Sequence, residues 1–395
     1  MTDRTENATR LVFQELGDSI LSAWSSKDYE QADFPEIAEA ALRSARISEK
    51  LSAKDVLMLA AGNRTDMGSL QFEPGFGDYQ FVAYRHGRFY IEVLFWINST
   101  TSIHEHAFSG AFTLLEGSSV ETRYRFEEQD RVNQSLRIGS LEAEQVSLLF
   151  KGDVVPIRSG RRLIHSVFHL DDPTISVVAR TVQDDESLPQ LDYCGSRIGY
   201  KSDMTQGEAK ALKAMRLLAR YWPSAFWPDF ADRLGAMSRD QKFWLMKALF
   251  KEIETLPEDQ AVLVERAVGG DWPVFLDALR NEALVLAVAR LRESVRGGNP
   301  RRLMALLIGV PAGAEFERAV QLHLPDGLKA ALNDLLIEVG SSGEGSNLTA
   351  GDLAAIVLSQ SEQAYATLRQ LAQSGTALAP LWTLLSHRAR RQGDA

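Results

Sequence analysis

The sequence predicts an α+β protein: a helical N-terminal segment, a small β-barrel or sandwich, and an all-α C-terminal part. Three observations carry this. Apolar residues recur at helical spacing from Leu11 to Leu42. Strand signals then follow one another from Tyr79 to Arg180 at roughly eight- to twelve-residue intervals, the rhythm of a sandwich or barrel. After Thr205 the patterns turn amphipathic and helical. With 395 residues the chain is long enough for two cored domains. The expected parts are helices over 1–62, a barrel over 63–182, a linker over 183–205 and an all-α domain over 206–395.

Each element has a local reason. Leu11, Phe13, Leu16, Ile20, Leu21 and Trp24 share one helix face, and Phe34-Pro35 interrupts before a second helix with Ile37, Ala41 and Leu42. Ser52-Ala-Lys-Asp55 has the form of a capping box opening a third helix. Gly68, Pro74, Gly75 and Gly77 mark a loop into the sheet. Residues 89–97, FYIEVLFWI, read as a buried strand. Phe112–Glu116 is another, and the charged run Glu127–Arg131 is expected as an exposed loop. Pro189, Gly195 and Gly199 suggest a linker. Helices are expected at 208–222, from the Ser238–Gln241 capping box onward, at about 258–268, 272–296, 300–309, 314–323 and 326–338. A flexible break at 340–346 precedes a helical tail opened by Thr349-x-x-Asp352.

Composition excludes some functions. A formal charge of −10 argues against a general nucleic-acid or anionic-membrane binder. The lone cysteine, Cys194, rules out an internal disulfide and fits a reducing compartment. It reads as an ordinary buried thiol. The N-terminus lacks a basic-then-apolar signal pattern and no apolar run reaches spanning length, so a cytoplasmic protein is expected. Trp222-Pro223 and Trp227-Pro228 read as helix-boundary packing. His387–Arg391 reads as a basic helix end.

The chemistry concentrates in one stretch. Ser102-Ile-His-Glu-His106 places His104 and His106 on one face of a strand, with Glu105 pointing away. His165, on a later strand, can close a three-nitrogen metal site with open coordination positions. Three unrelated core histidines are the plainer alternative. His169, an even step beyond His165, shares that face and is a candidate acid/base or supporting donor, or simply a strand-end histidine. Arg161 and Arg162 offer an anion clamp, or a solvated turn. Tyr79, Tyr84, Arg85 and Tyr90 are candidates for substrate contact.

These motifs resemble the cupin superfamily, a double-stranded β-helix or jelly-roll barrel. His104-x-His106 with Gly117 looks like its first motif; Gly152-Asp153, Pro156, Gly160 and His165 look like its second. Gly87-Arg88-Phe89, Trp96 and Ser102–His106 are most similar to the cysteine dioxygenase-like, three-histidine iron enzymes. The resemblance covers about residues 79–182. Most cupins place a glutamate ligand where this chain has Gly110 and Ala111, so a three-histidine site is implied. Thiol dioxygenases carry a Ser-His-Tyr series that falls here at Ser176, Val178 and Arg180, and many have a crosslinking cysteine where Ala111 stands. The metal shell is kept and the cysteine-reading shell is not, which argues against free cysteine.

What the resemblance implies is a mononuclear iron(II) oxygenase, using O₂ on a small anionic or thiol-bearing substrate. His104, His106 and His165 would hold the metal, with His169, Arg161 and Tyr84 as catalytic candidates. Zinc, nickel or manganese are the alternative metals, for an isomerase or hydrolase. A non-catalytic, metal-bound sensor signalling through the helical half is the other reading. Cupin barrels commonly pair, so a homodimer is among the expected states.

Overall fold

The computed structural model describes residues 2–62, 77–98, 101–184, 189–202, 205–311, 313–339, 349–359, 362–373 and 377–393. Residues 68–76 of the loop expected over 68–78, the break over 340–346 and the side chains of His387–Arg391 lie outside what is described. The architecture is N-terminal helices, a closed six-stranded barrel with a second, five-stranded sheet, and a helical C-terminal region. By contacts the chain forms two compact units. One takes Met1–Arg125, Ala143–Leu188 and Leu284–Ala395; the other takes Phe126–Glu142 and Pro189–Ala283. Within the helical stretch 206–395 the division falls between Ala283 and Leu284. Among the described residues no helix is long and apolar enough to cross a membrane.

The first unit begins with helices α1 (Thr2–Ser25), α2 (Phe34–Ala45), the single turn α3 (Ile47–Lys50) and α4 (Ala53–Gly62). Pro35 sits in the first turn of α2, where its missing N–H costs nothing, so it starts the helix. The Ser52–Asp55 box forms as expected, with Ser52 N to Asp55 Oδ2 at 2.9 Å. Strands β1 (Tyr79–His86), β2 (Phe89–Trp96), β3 (Ile103–His106) and β4 (Gly110–Glu116) follow. Next come β5 (Ser119–Arg131), β6 (Leu136–Leu149), β7 (Val154–Ile157), β8 (Gly160–His169) and β9 (Thr174–Thr181). Gly117, Gly152 and Gly160 of the motifs all adopt left-handed backbone at turns, with φ of 81°, 91° and 65°.

One sheet has the order β1-β2-β9-β4-β7. All eight residues of β2 are buried because both faces are covered. Phe89, Ile91, Val93 and Phe95 join Ile175, Val177 and Ala179 of β9 against Phe13, Ile20 and Trp24 of α1. Each such apolar side chain contributes about 1.5–3 kcal/mol on full burial. The other residues, Glu92, Leu94 and Trp96 with Ser176, Val178 and Arg180, face an internal cavity. The period of two thus separates the structural face from the chemical face.

With β10 (Leu191–Cys194) and β11 (Ile198–Lys201), the second sheet has the order β10-β11-β6-β5-β8-β3 and closes as a barrel. In the first unit, β3 pairs with β8 so that His104 stands opposite His165; the register slips before His106, which stands opposite Gly160. Helices α11 (Gly298–Gly309), α12 (Ala314–His323) and α13 (Gly327–Glu338) share one core with Val120 of β5 and with Phe168 and Leu170 at the end of β8. So do α14 (Ala350–Leu358), α15 (Glu362–Ala372) and α16 (Ala379–Gly393). The helical tail expected after Thr349 consists, among the described residues, of these three helices. Thr122 Oγ1 donates to Gly309 O at 2.8 Å, and a Cβ on Gly309 would stand 2.7 Å from the Phe168 ring.

The second unit contains the hairpin β10 (Leu191–Cys194) and β11 (Ile198–Lys201), where a linker was expected. Leu191, Tyr193, Ile198 and Tyr200 are buried, and β11 pairs with Leu136–Ile138 of β6. The turn is a three-residue loop in which Gly195 and Ser196 are left-handed. The charged run Glu127–Arg131 is not a loop: it continues β5, with Glu127 and Arg131 exposed, Glu128 and Asp130 half-buried, and Arg131 on Glu128 at 2.8 Å. Helices α5 (Gln206–Tyr221), α6 (Pro223–Gly235), α7 (Arg239–Ala248), α8 (Phe250–Ile253) and α9 (Glu258–Val268) build its core around Trp227, Phe243 and Phe275. Phe275 is carried by α10 (Trp272–Ser294), whose residues up to Ala283 belong to this unit. Pro223 opens α6, but Pro228 lies inside that helix, so only the first Trp-Pro pair marks a boundary. Cys194 is fully buried with its thiol on Ala278 O, and burial pushes it well up from its ordinary pKa.

Candidate metal centre

Among the described residues, His104, His106 and His165 form a group whose ligand atoms all lie within 4.8 Å of one another, and all three are buried. The strand pair explains the convergence. His104 and His165 are cross-strand partners, and His106, an even step beyond His104, points to the same face of β3. Ring centroids stand 4.6 Å apart for His104–His106 and 5.0 Å for each of the others.

The outer nitrogens are fixed by neighbours. His104 Nδ1 lies 2.8 Å from Ser102 O, and His165 Nδ1 lies 2.8 Å from Glu121 Oε1. Both acceptors demand N–H on Nδ1, which leaves the Nε2 lone pairs turned inward. His106 Nε2 stands 2.9 Å from His165 Nε2. Two imidazole nitrogens at about 2.1 Å from one ion and about 90° apart would be about 3 Å from each other, so this spacing fits neighbouring ligands of an open, octahedral-type site. His106 Nδ1 is buried without a hydrogen-bond partner.

Burial keeps His104 and His106 neutral. Burial, then the nearby His165, pulls His104 down to about 3. Burial and the neighbouring imidazoles hold His106 well below its usual value. Neutral rings keep their lone pairs at physiological pH, as metal ligation requires. Burial alone would raise Glu121; the His165 hydrogen bond and Arg123, at 3.0 Å, outweigh it and hold the carboxylate below its ordinary range.

The cavity beside the three rings has a volume of about 80 Å³. That is room for an ion with a few waters or a ligand of a few heavy atoms, far below a drug-sized pocket. His169 lines it, stacked on Trp96 at 4.3 Å, with Nδ1 on Ser119 Oγ at 2.9 Å and Nε2 buried without a partner. Burial, then Arg292, pulls His169 down to about 3.

Other candidates lie elsewhere. Tyr84 packs with the N-terminal helices, its phenol 3.4 Å from Asp18. Parity along β1 would put it on the Gln80 face, but a register slip between Val82 and Tyr84 turns it outward. Arg161 and Arg162 are exposed at the start of β8, with Arg162 on Ser159, and neither lines the cavity. Arg85 and Tyr79 are exposed. Tyr90 is buried behind Arg180, and burial pushes its phenol up to about 12. Glu105 is buried and outside the three-residue group.

Sequence reasoning missed Glu92 and Glu121, and it met Arg180 only as a departure from a pattern. Glu92 had a signal: it is the one charge in the apolar run 89–97. Glu121 had none, because its role depends on the β5–β8 register that sets Arg123 opposite His165.

No family model and no curated protein matches the chain. Similar solved structures include a cupin superfamily protein of Desulfitobacterium hafniense, at 14% identity over 28% of this chain and 84% of that one, TM-score 0.19. The DMSP lyase DddQ of Ruegeria pomeroyi is 14% identical over 45% of this chain and 94% of that one, TM-score 0.26. The capsular polysaccharide assembling protein CapF of Staphylococcus aureus is 14% identical over 39% and 43%, TM-score 0.22. Such values bear on neither metal nor substrate. The barrel stands on this chain's own strand order and register.

Proposed function

We propose that this protein is a mononuclear metal enzyme of the three-histidine cupin type, an iron(II) oxygenase acting on a small anionic or thiol-bearing molecule. The observation that carries it is the trio of buried imidazoles gathered at the wall of a small cavity. His104, His106 and His165 would hold the ion. Ferrous iron bound there would supply open positions for substrate and O₂, with no carboxylate ligand to offset its charge. The protein's own part is separable. Glu121 fixes the His165 tautomer, Trp96 and Phe112 supply apolar wall, and His169 carries an unpartnered nitrogen.

A second reading, metal-assisted proton transfer on zinc, nickel or manganese, is favoured by two titratable groups in the cavity, His169 and Glu92. Metal analysis of protein purified without added metal comes first, followed by oxygen-electrode assays against thiols and oxo acids. Iron with O₂ consumption supports the oxygenase. Zinc alone supports the second reading, because zinc does no redox chemistry. A chain that takes up no transition metal ends both.

A further inference from the structure

The cavity wall formed by β2 and β9 carries a buried ion pair that the reading above leaves unused. Glu92 is 4% exposed, and its Oε1 lies 3.6 Å from Arg180 Nη1, too long for a good hydrogen bond. Gln80 Nε2 holds the other oxygen, Oε2, at 2.6 Å. The guanidinium is fixed instead by rings, 3.3 Å above Phe108 and 5.1 Å from Tyr90. Its Nε reaches Thr181 O at 3.4 Å. Across the β4–β9 pair from Arg180 stands Gly110, where a Cβ would be 2.2 Å from Ala179 O, so no side chain covers the arginine from that strand. A cation is thus held at a cavity wall by flat faces and one loose carboxylate, with its terminal N–H groups poorly used.

We propose that Glu92 and Arg180 form an exchange site, in which a small carboxylate displaces Glu92 from the guanidinium and Glu92, left on Gln80, takes a proton from solvent. Arginine matches an incoming carboxylate with two parallel N–H donors, a better geometry than the 3.6 Å contact it replaces. Burial already raises Glu92, and Arg180 is the main influence opposing it. Once a ligand anion neutralises Arg180, that opposition is lost. The surrounding groups do not replace it. Tyr90 is neutral, Asp184 adds negative charge near Arg180, Arg85 acts on Tyr90, His106 is neutral, and Gln80 and Phe112 carry no charge. The bound carboxylate then lies beside a protonated carboxyl group, so the site would arm its own acid as it fills. This rests on the cavity being the substrate site and is indifferent to which ion the histidines hold.

The test is calorimetry of acetate binding to the metal-free and zinc-loaded full chain, in two buffers of different ionisation enthalpy. Wild type should take up about one proton per acetate near neutral pH. Glu92→Gln should bind acetate at least as tightly with no proton uptake, and Arg180→Gln should lose about tenfold or more in affinity. Arg180→Lys keeps the charge without the fork and should bind more weakly than wild type; it serves if Arg180→Gln does not fold. Absence of acetate binding by wild type, unchanged proton uptake in Glu92→Gln, or unchanged affinity in both arginine variants would overturn the proposal. Zinc stoichiometry on the same samples reports the histidines separately. Acetate with proton uptake but no zinc keeps the pair and removes the metal reading; zinc without acetate does the reverse.

Discussion

At the scale of single residues, the centre depends on tautomers more than on the presence of histidines. His165 offers Nε2 inward only because Glu121 claims the Nδ1 proton, and Glu121 stays ionised because Arg123 and His165 outweigh its burial. Glu121→Gln keeps the shape but accepts a weaker hydrogen bond and removes the charge that stabilises the ligand. Metal affinity, measured by competition with a chromophoric chelator, should fall by about 10- to 100-fold. His165→Ala should abolish high-affinity binding, whereas Tyr84→Phe, out on the helix face, should leave it unchanged. A Glu121→Gln variant with wild-type affinity would show that the carboxylate does not orient the ring.

Elements carry the next level. His104 and His106 were legible because a strand's period of two is visible in the letters, and the glycine frame of both motifs marks turns that left-handed backbone requires. The facing of Tyr84 was not legible, since one slipped residue in β1 reverses the face and leaves no compositional trace. The hairpin 191–201 was hidden for a similar reason: its glycines and charges look like a linker until Tyr193 and Tyr200 are seen buried. Helix ends were easier, because the Ser238 and Thr349 boxes are local patterns and both form. What no local pattern could reveal is that helices after Leu284 cover the face of β5 and β8 opposite the cavity, sharing one core with Val120, Phe168 and Leu170. Gly309→Val places methyl groups where the Phe168 ring stands, and should cost about 1–3 kcal/mol in urea unfolding. A chain ending before α11 would expose Val120, Phe168 and Leu170, and should be recovered as aggregate. A soluble, cooperatively folding truncation would separate those helices from the barrel core.

For the whole molecule, the buried imidazoles make stability depend on pH in a defined direction. His104 and His169 are held near 3 when folded, against about 6.5 in an unfolded chain. Between those values the unfolded chain binds more protons, so stability is full above about pH 6.5 and drains as pH falls below it. Well below 6.5 each such group costs about 1.4 kcal/mol per pH unit. Glu92, held above its ordinary value, works the other way, since the folded state then binds the extra proton. Two or more histidines against one carboxyl leave net acid destabilisation in the window from about pH 6.5 to 5. Urea midpoints of the metal-free chain should therefore drop between pH 7.5 and 5.0, and His169→Gln should flatten the slope by about one proton. Metal should counter the loss at neutral pH, adding about 2.7 kcal/mol at a hundredfold excess over its dissociation constant, and less as acid competes for the same nitrogens. A midpoint indifferent to both pH and metal would mean that the three rings are packed as ordinary core, with no cost to their burial and no ion to gain.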